Sequence, residues 1–114
     1  MSSRPVIACE LAALTEAQRH RRETLAELLR ASVLEVRDLP SGFAFYLDRR
    51  PAIERHVDEL IALERLCCSF LTLATRIDVA SDRLVLEMTG GPGVRAFIAA
   101  QFGVGGGLTP KETP

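Results

Sequence analysis

The chain has almost no net charge. Its 114 residues carry 14 Lys and Arg against 15 Asp and Glu, a formal charge of −1. Nucleic acids are held by basic surfaces that release condensed counterions, so this balance argues against a nucleic-acid partner. Long apolar runs are missing too. Nothing approaches the ~20 consecutive apolar residues that a membrane-spanning helix needs, so no membrane partner is expected. Val6-Ile7-Ala8-Cys9 imitates a lipoprotein cleavage box, but the apolar run Pro5 to Ala8 is far shorter than the roughly 7–15 residues of an export signal. Cysteine is scarce and odd in number, at three. A secreted domain of this size usually carries an even set, so reduced thiols and a cytoplasmic location are the expectation. Catalytic signatures are also lacking. Gly90-Gly91-Pro92-Gly93 has neither the phosphate-loop lysine nor the dinucleotide spacing and reads as a turn. Neither Ser41 nor Ser69 lies in a nucleophile elbow.

What remains is a soluble-type composition, 47% hydrophobic and 25% charged, at a length suited to one domain. Val6 to Cys9 is a candidate first strand. Thr15, with Gln18 three residues on, forms a capping box for a helix running to about Ala31, with Leu25, Leu28, Leu29 and Ser32 on one face. The run Arg19-His20-Arg21-Arg22 reads as the solvated side of that helix, ion-paired with Glu16, Glu23 and Glu27. Val33–Leu39 and Phe43–Leu47 alternate around Pro40-Ser41-Gly42, which predicts a hairpin with Leu34 and Val36 opposite Glu35 and Arg37. Asp48 is the candidate cap of a second helix, from about Arg50 to Cys68, and Pro51 suits its first turn. Its stripe is Ile53, Val57, Leu60, Ile61, Glu64, Cys67 and Cys68.

A second hairpin follows. Leu71, Leu73, Thr75, Ile77 and Val79 share one face, Ser81-Asp82 turns, and Leu84, Leu86 and Met88 return. A short helix carries Val94, Phe97, Ile98 and Phe102 inward. The order β-α-β-β-α-β-β-α predicts an α+β two-layer sandwich with a largely antiparallel sheet, built from two hairpins and a short N-terminal strand. It would occupy residues 1–102. Residues 103–114, with three consecutive glycines and two prolines, read as a disordered tail.

Reactive side chains gather at the end of the second helix. Glu64 precedes Cys67 and Cys68 by three and four residues, so the three project from one helical face. A carboxylate on an otherwise apolar stripe is costly unless it finds a partner or takes up a proton; a backbone amide or an arginine such as Arg65 or Arg76 is the candidate partner. A helix C-terminus raises a thiol pKa, so the local dipole does not activate Cys67 or Cys68 as nucleophiles. Adjacent cysteines pair poorly with each other and suit two-point capture of a soft ion, with Cys9 a candidate third sulfur. Such a set would take zinc, mercury(II) or trivalent arsenic. The spacing is not that of a zinc finger. His56 shares the Cys67 face but lies roughly 16 Å away along the axis, and reads as a surface histidine, as does His20. Tyr46, the sole tyrosine, reads as packing or surface.

Glu64-Arg65-Leu66-Cys67-Cys68-Ser69-Phe70, then Thr89-Gly90-Gly91-Pro92-Gly93-Val94-Arg95-Ala96-Phe97, resembles a family of small uncharacterised bacterial proteins. That family shows Glu-x-x-Cys-Cys-Pro-Phe and, after a hairpin, Thr-Gly-Pro-x-Gly-x-x-x-Phe. Ala8-Cys9-Glu10-Leu11 resembles its opening. The match would cover roughly residues 6 to 102, with Ser69 in place of a proline and one extra glycine in the loop. It carries no established activity over. Three functional classes stand open. One is capture of a soft metal or metalloid ion by Cys67, Cys68 and Cys9, with Glu64 as ligand or proton acceptor. The second is a thiol-redox or thiol-transfer enzyme, with Cys67 or Cys68 as nucleophile and Glu64 as base. The third is a homodimer joined at the open edge of the Leu34–Leu47 hairpin, its cysteines only packed in the core.

Overall fold

The computed structural model describes residues 9–103. A 3-10 turn at Leu11–Ala13 leads into helix α1 (Glu16–Ser32) and the hairpin β1 (Val33–Leu39) and β2 (Gly42–Leu47). Helix α2 (Pro51–Cys67), the hairpin β3 (Thr72–Asp78) and β4 (Arg83–Thr89), and helix α3 (Val94–Phe102) follow. Among the described residues the four strands form one antiparallel sheet in the order β1-β2-β4-β3, with β1 and β3 at its edges. The α+β class with a largely antiparallel sheet is the one the sequence pattern predicts. Of the expected N-terminal strand, Val6 to Ala8 lie outside the described residues, and Cys9 belongs to no strand. The tail expected beyond 103 is outside them as well.

Helix α1 starts where the capping box places it. The Thr15 hydroxyl accepts from the Gln18 amide, and the Gln18 side chain accepts from the Thr15 amide. Leu25 and Leu29 are buried, whereas Leu28 is partly in solvent. The start of α2 differs from the sequence reading. Arg50, not Asp48, occupies the cap position and no side chain caps the helix; Pro51 follows at its first turn, and Asp48 instead pairs with Arg50 at 3.0 Å. Pro51 removes one of the amides that has no intrahelical acceptor anyway.

The core lies between the helices and one sheet face. Phe43, Phe45, Leu47, Leu84, Leu86 and Met88 pack against Leu25 and Leu29 of α1, Val57 and Leu60 of α2, and Ile98 of α3 in one cluster. Each such side chain stabilises the fold by about 1.5–3 kcal/mol on full burial. The first hairpin departs from strict alternation. Val33 pairs with Leu47 and Glu35 with Tyr46, so Leu34 is the extra residue of a bulge and is 47% exposed. The bulge moves Leu34 off the core face; Val33 packs inward in its place, and Val36 faces inward as predicted. In the second hairpin Val79 falls in the turn and is 87% exposed, although Leu73 and Ile77 face inward as predicted. The other sheet face is a polar lattice around Tyr46. Arg37 and Arg76 each donate to its hydroxyl at 3.1 Å, and the Arg37 guanidinium lies 4.3 Å from its ring centre. Gly42 enters β2 where a Cβ would run into the backbone of Met88 and Thr89 on the paired strand, so any larger residue there must push β2 and β4 apart.

Candidate functional site

Helix α2 is amphipathic, and its buried stripe of Ile53, Val57, Leu60, Ile61 and Leu63 carries Glu64 and Cys67 into the interior. Cys68 caps the helix, its amide donating to the Glu64 carbonyl at 2.6 Å. This end of α2 meets the segment that enters α1. The Glu10 amide donates to the Cys67 carbonyl at 2.7 Å, which sets Cys9 directly against Cys68. The two form a disulfide across 59 positions of sequence, and Cys67 is a free, buried thiol. The expectation of three reduced thiols is therefore corrected: one is free and two are joined. The reason is tertiary. Only the docking of residues 9–14 on α2 brings Cys9 within reach, and nothing local to either cysteine shows it. The expectation that the vicinal pair would not bond to itself stands; the Cys67 and Cys68 sulfurs lie 3.4 Å apart without a bond.

One sulfur from each of Cys9, Cys67 and Cys68 and a carboxylate oxygen of Glu64 all lie within 4.8 Å of one another. All four residues singled out in the sequence thus meet in one place. Glu64 is 1% exposed, and Cys67 and Cys68 are almost as deeply buried; Cys9 is half-buried.

The cluster has a fifth member that the sequence pattern assigned to the solvent. Arg22 turns inward from α1, its side chain 14% exposed. Its Nε donates to Glu64 Oε1 at 3.0 Å, and its Nη2 lies 2.9 Å from the same oxygen. That Nη2 also lies 3.4 Å from the Cys9 sulfur and 3.8 Å from the Cys68 sulfur. The partner of Glu64 is therefore Arg22, not Arg65 or Arg76. Arg65 is exposed, and Arg76 is spent on Tyr46 and Glu87. The other arginines of the run are also occupied: Arg19 donates to the Leu11 and Leu14 carbonyls, and Arg21 pairs with Glu59 of α2 at 2.7 Å. A signal for this was present. Arg22 lies three residues before Leu25 and seven before Leu29, so it continues the buried face of α1 by one turn. His20 is exposed, as read, while His56 is only partly so and its Nδ1 is buried without a hydrogen-bond partner among the described residues.

The electrostatics follow from burial. Burial pushes the Glu64 carboxyl above its ordinary value, and the Arg22 charge and hydrogen bond oppose that only in part. Its second oxygen, Oε2, is buried and has no hydrogen-bond partner among the described residues. Burial, then the Glu64 charge, raises the Cys67 thiol, with Arg22 pulling the other way. Cys67 is thus a resting thiol rather than a thiolate.

Comparison with protein families, curated proteins and solved structures finds no match. The chemistry of the cluster stands on its own residues. Three sulfurs and a carboxylate are a donor set for a soft or borderline cation. The four donors lie within 4.8 Å of one another, near enough for all of them to turn toward one ion once the Cys9–Cys68 bond is open. While Cys9 and Cys68 are bonded to each other, two of the three sulfurs have no charge to offer. Among the described residues no helix is long and apolar enough to cross a membrane. An apolar cavity of about 230 Å³ between α1, the sheet and α3, lined by Leu29, Val36, Phe45, Met88 and Phe102, includes none of the cluster residues.

Proposed function

We propose that the protein captures a soft metal or metalloid ion on the thiols of Cys9, Cys67 and Cys68, beside Glu64, when the Cys9–Cys68 bond is reduced. The convergence of the four donors within 4.8 Å carries this reading, because Cys9 is distant in sequence and joins the pair only through the fold. Coordination stabilises a thiolate directly and so offsets the burial that keeps Cys67 protonated. In this reading the disulfide is the closed form and the three-thiol cluster the receptive one. The test is titration of the reduced protein with zinc, mercury(II) and arsenite, following thiolate-to-ion absorbance and the loss of titratable thiols. One ion per chain with protection of all three thiols is expected. Equal uptake by a variant with Cys9, Cys67 and Cys68 all replaced by serine would overturn it.

A second reading, thiol-redox activity, is favoured by one observation: the free Cys67 sulfur lies 3.4 Å from a sulfur of the Cys9–Cys68 disulfide. Exchange would need a Cys67 thiolate, with Glu64 as base. The rate of Cys67 alkylation against pH separates the two. An apparent thiol pKa well below ~8.5 supports catalysis.

A further inference from the structure

The inference rests on the ion-capture reading above and concerns which ion. Arg22 and Glu64 decide the charge of the cluster before any ion arrives. Two N–H groups of Arg22 converge on Glu64 Oε1, so the guanidinium balances the carboxylate charge when Glu64 is ionised. Three thiolates then bring three negative charges into a place where Glu64, Cys67 and Cys68 have almost no contact with solvent. A buried group of charges is tolerated only when its sum is near zero. A trivalent centre on three thiolates is neutral and leaves the Arg22–Glu64 pair intact. A divalent ion on the same sulfurs leaves one uncompensated negative charge.

We propose that the Arg22–Glu64 pair makes this site selective for a trivalent metalloid, presented as its neutral trihydroxide, over divalent zinc. One further feature agrees. Glu64 Oε2, buried and without a donor among the described residues, is free to accept a hydrogen bond from a hydroxyl of the entering oxyacid.

The chemistry balances. An external dithiol first gives two electrons and two protons to the Cys9–Cys68 bond and leaves as its own disulfide. Each thiol then forms one sulfur–metalloid bond as one metalloid–oxygen bond breaks, and each thiol proton departs with that hydroxide as water. Three waters are released and the metalloid stays trivalent.

The experiment titrates the reduced full chain with arsenite and with zinc and reads the ratio of the two dissociation constants. In the wild type, arsenite is expected to bind more tightly than zinc. Glu64→Gln keeps Arg22 and places the neutral total with zinc, so the ratio should move toward zinc by about tenfold or more. The double variant Arg22→Met/Glu64→Gln removes both charges and should return the ratio toward the wild-type value. A carboxylate that acted as a zinc ligand would give the opposite sign for Glu64→Gln. Tighter zinc than arsenite binding by the wild type, which needs no variant to fold, would overturn the selectivity, as would a Glu64→Gln ratio unchanged or moved toward arsenite. Wild-type thiols that take up neither ion would instead overturn the ion-capture reading itself.

Discussion

Reducing the Cys9–Cys68 bond should destabilise the fold by a calculable amount. The two cysteines are 59 positions apart, so the bond closes a loop of about 60 residues around α1, the first hairpin and α2. In the chain-entropy model a loop of that length removes about 14 cal/mol/K from the unfolded ensemble, or about 4 kcal/mol at 25 °C. The native-state consequences add to this in the same direction. Freed from Cys68, the segment at Glu10 is held to α2 chiefly by its bond to the Cys67 carbonyl and by Arg19 on the Leu11 and Leu14 carbonyls. With about 2.1 cal/mol/K of unfolding entropy per residue over the described residues, 4 kcal/mol corresponds to a drop of about 20 °C in melting temperature. The assay is urea unfolding followed by circular dichroism, with and without a phosphine reductant. Thiol titration in denaturant provides the control and should find one thiol before reduction and three after. Cys9→Ser should reproduce the reduced midpoint without reductant, and Cys67→Ser, which keeps the Cys9–Cys68 bond, should still lose stability when reductant is added. A Cys9→Ser protein within about 1 kcal/mol of the oxidised wild type would refute the loop-entropy reasoning. Three thiols found before reduction would refute the bond.

Two more outcomes follow from the buried ionisable groups. Glu64 titrates above the ordinary carboxyl value of 4.5 in the folded chain, so the native state holds this proton more tightly than the unfolded one. Its contribution is therefore complete below pH 4.5 and is lost as pH rises through the raised value. The difference in unfolding free energy between wild type and Glu64→Gln, measured from pH 4 to 8, should show this fall; a difference flat across that range would contradict it. Glu59, held below its ordinary value by Arg21, has the opposite sign and cancels in that difference. Cys67 should alkylate slowly at neutral pH in the oxidised protein, with a rate still climbing past pH 9.0, because burial and the Glu64 charge both oppose its thiolate. A rate that levels off near pH 7, read by mass spectrometry of iodoacetamide-treated protein, would show an activated thiol instead.

The departures from the sequence pattern have physical causes that lie outside the local chain. Alternation around Pro40-Ser41-Gly42 revealed the first hairpin, but the bulge that turns Leu34 outward depends on the register of β1 against β2. Asp48 has the chemistry of a helix cap, yet its carboxylate is engaged by Arg50, and Pro51 starts the helix without a side-chain cap. Arg22 sits in a dense basic run whose other members face solvent, the Leu11 and Leu14 carbonyls or Glu59, and charge alone ranks it with them. Its inward turn follows from the packing of α1 against α2, where a buried carboxylate is met by the nearest cation able to reach it.

Periodicities of two and 3.6 residues were enough to determine the α+β class, the two hairpins, the buried face of α2, and the placement of Glu64 beside Cys67 and Cys68. Such patterns act within a strand or a turn of helix, so they are written in neighbouring residues. Tertiary structure alone decided that Cys9 joins Cys68, and that Arg22, 42 residues before Glu64, balances its charge. Those contacts form between segments far apart in the chain, and they exist only once the core has closed α1 and the 9–14 segment over the end of α2.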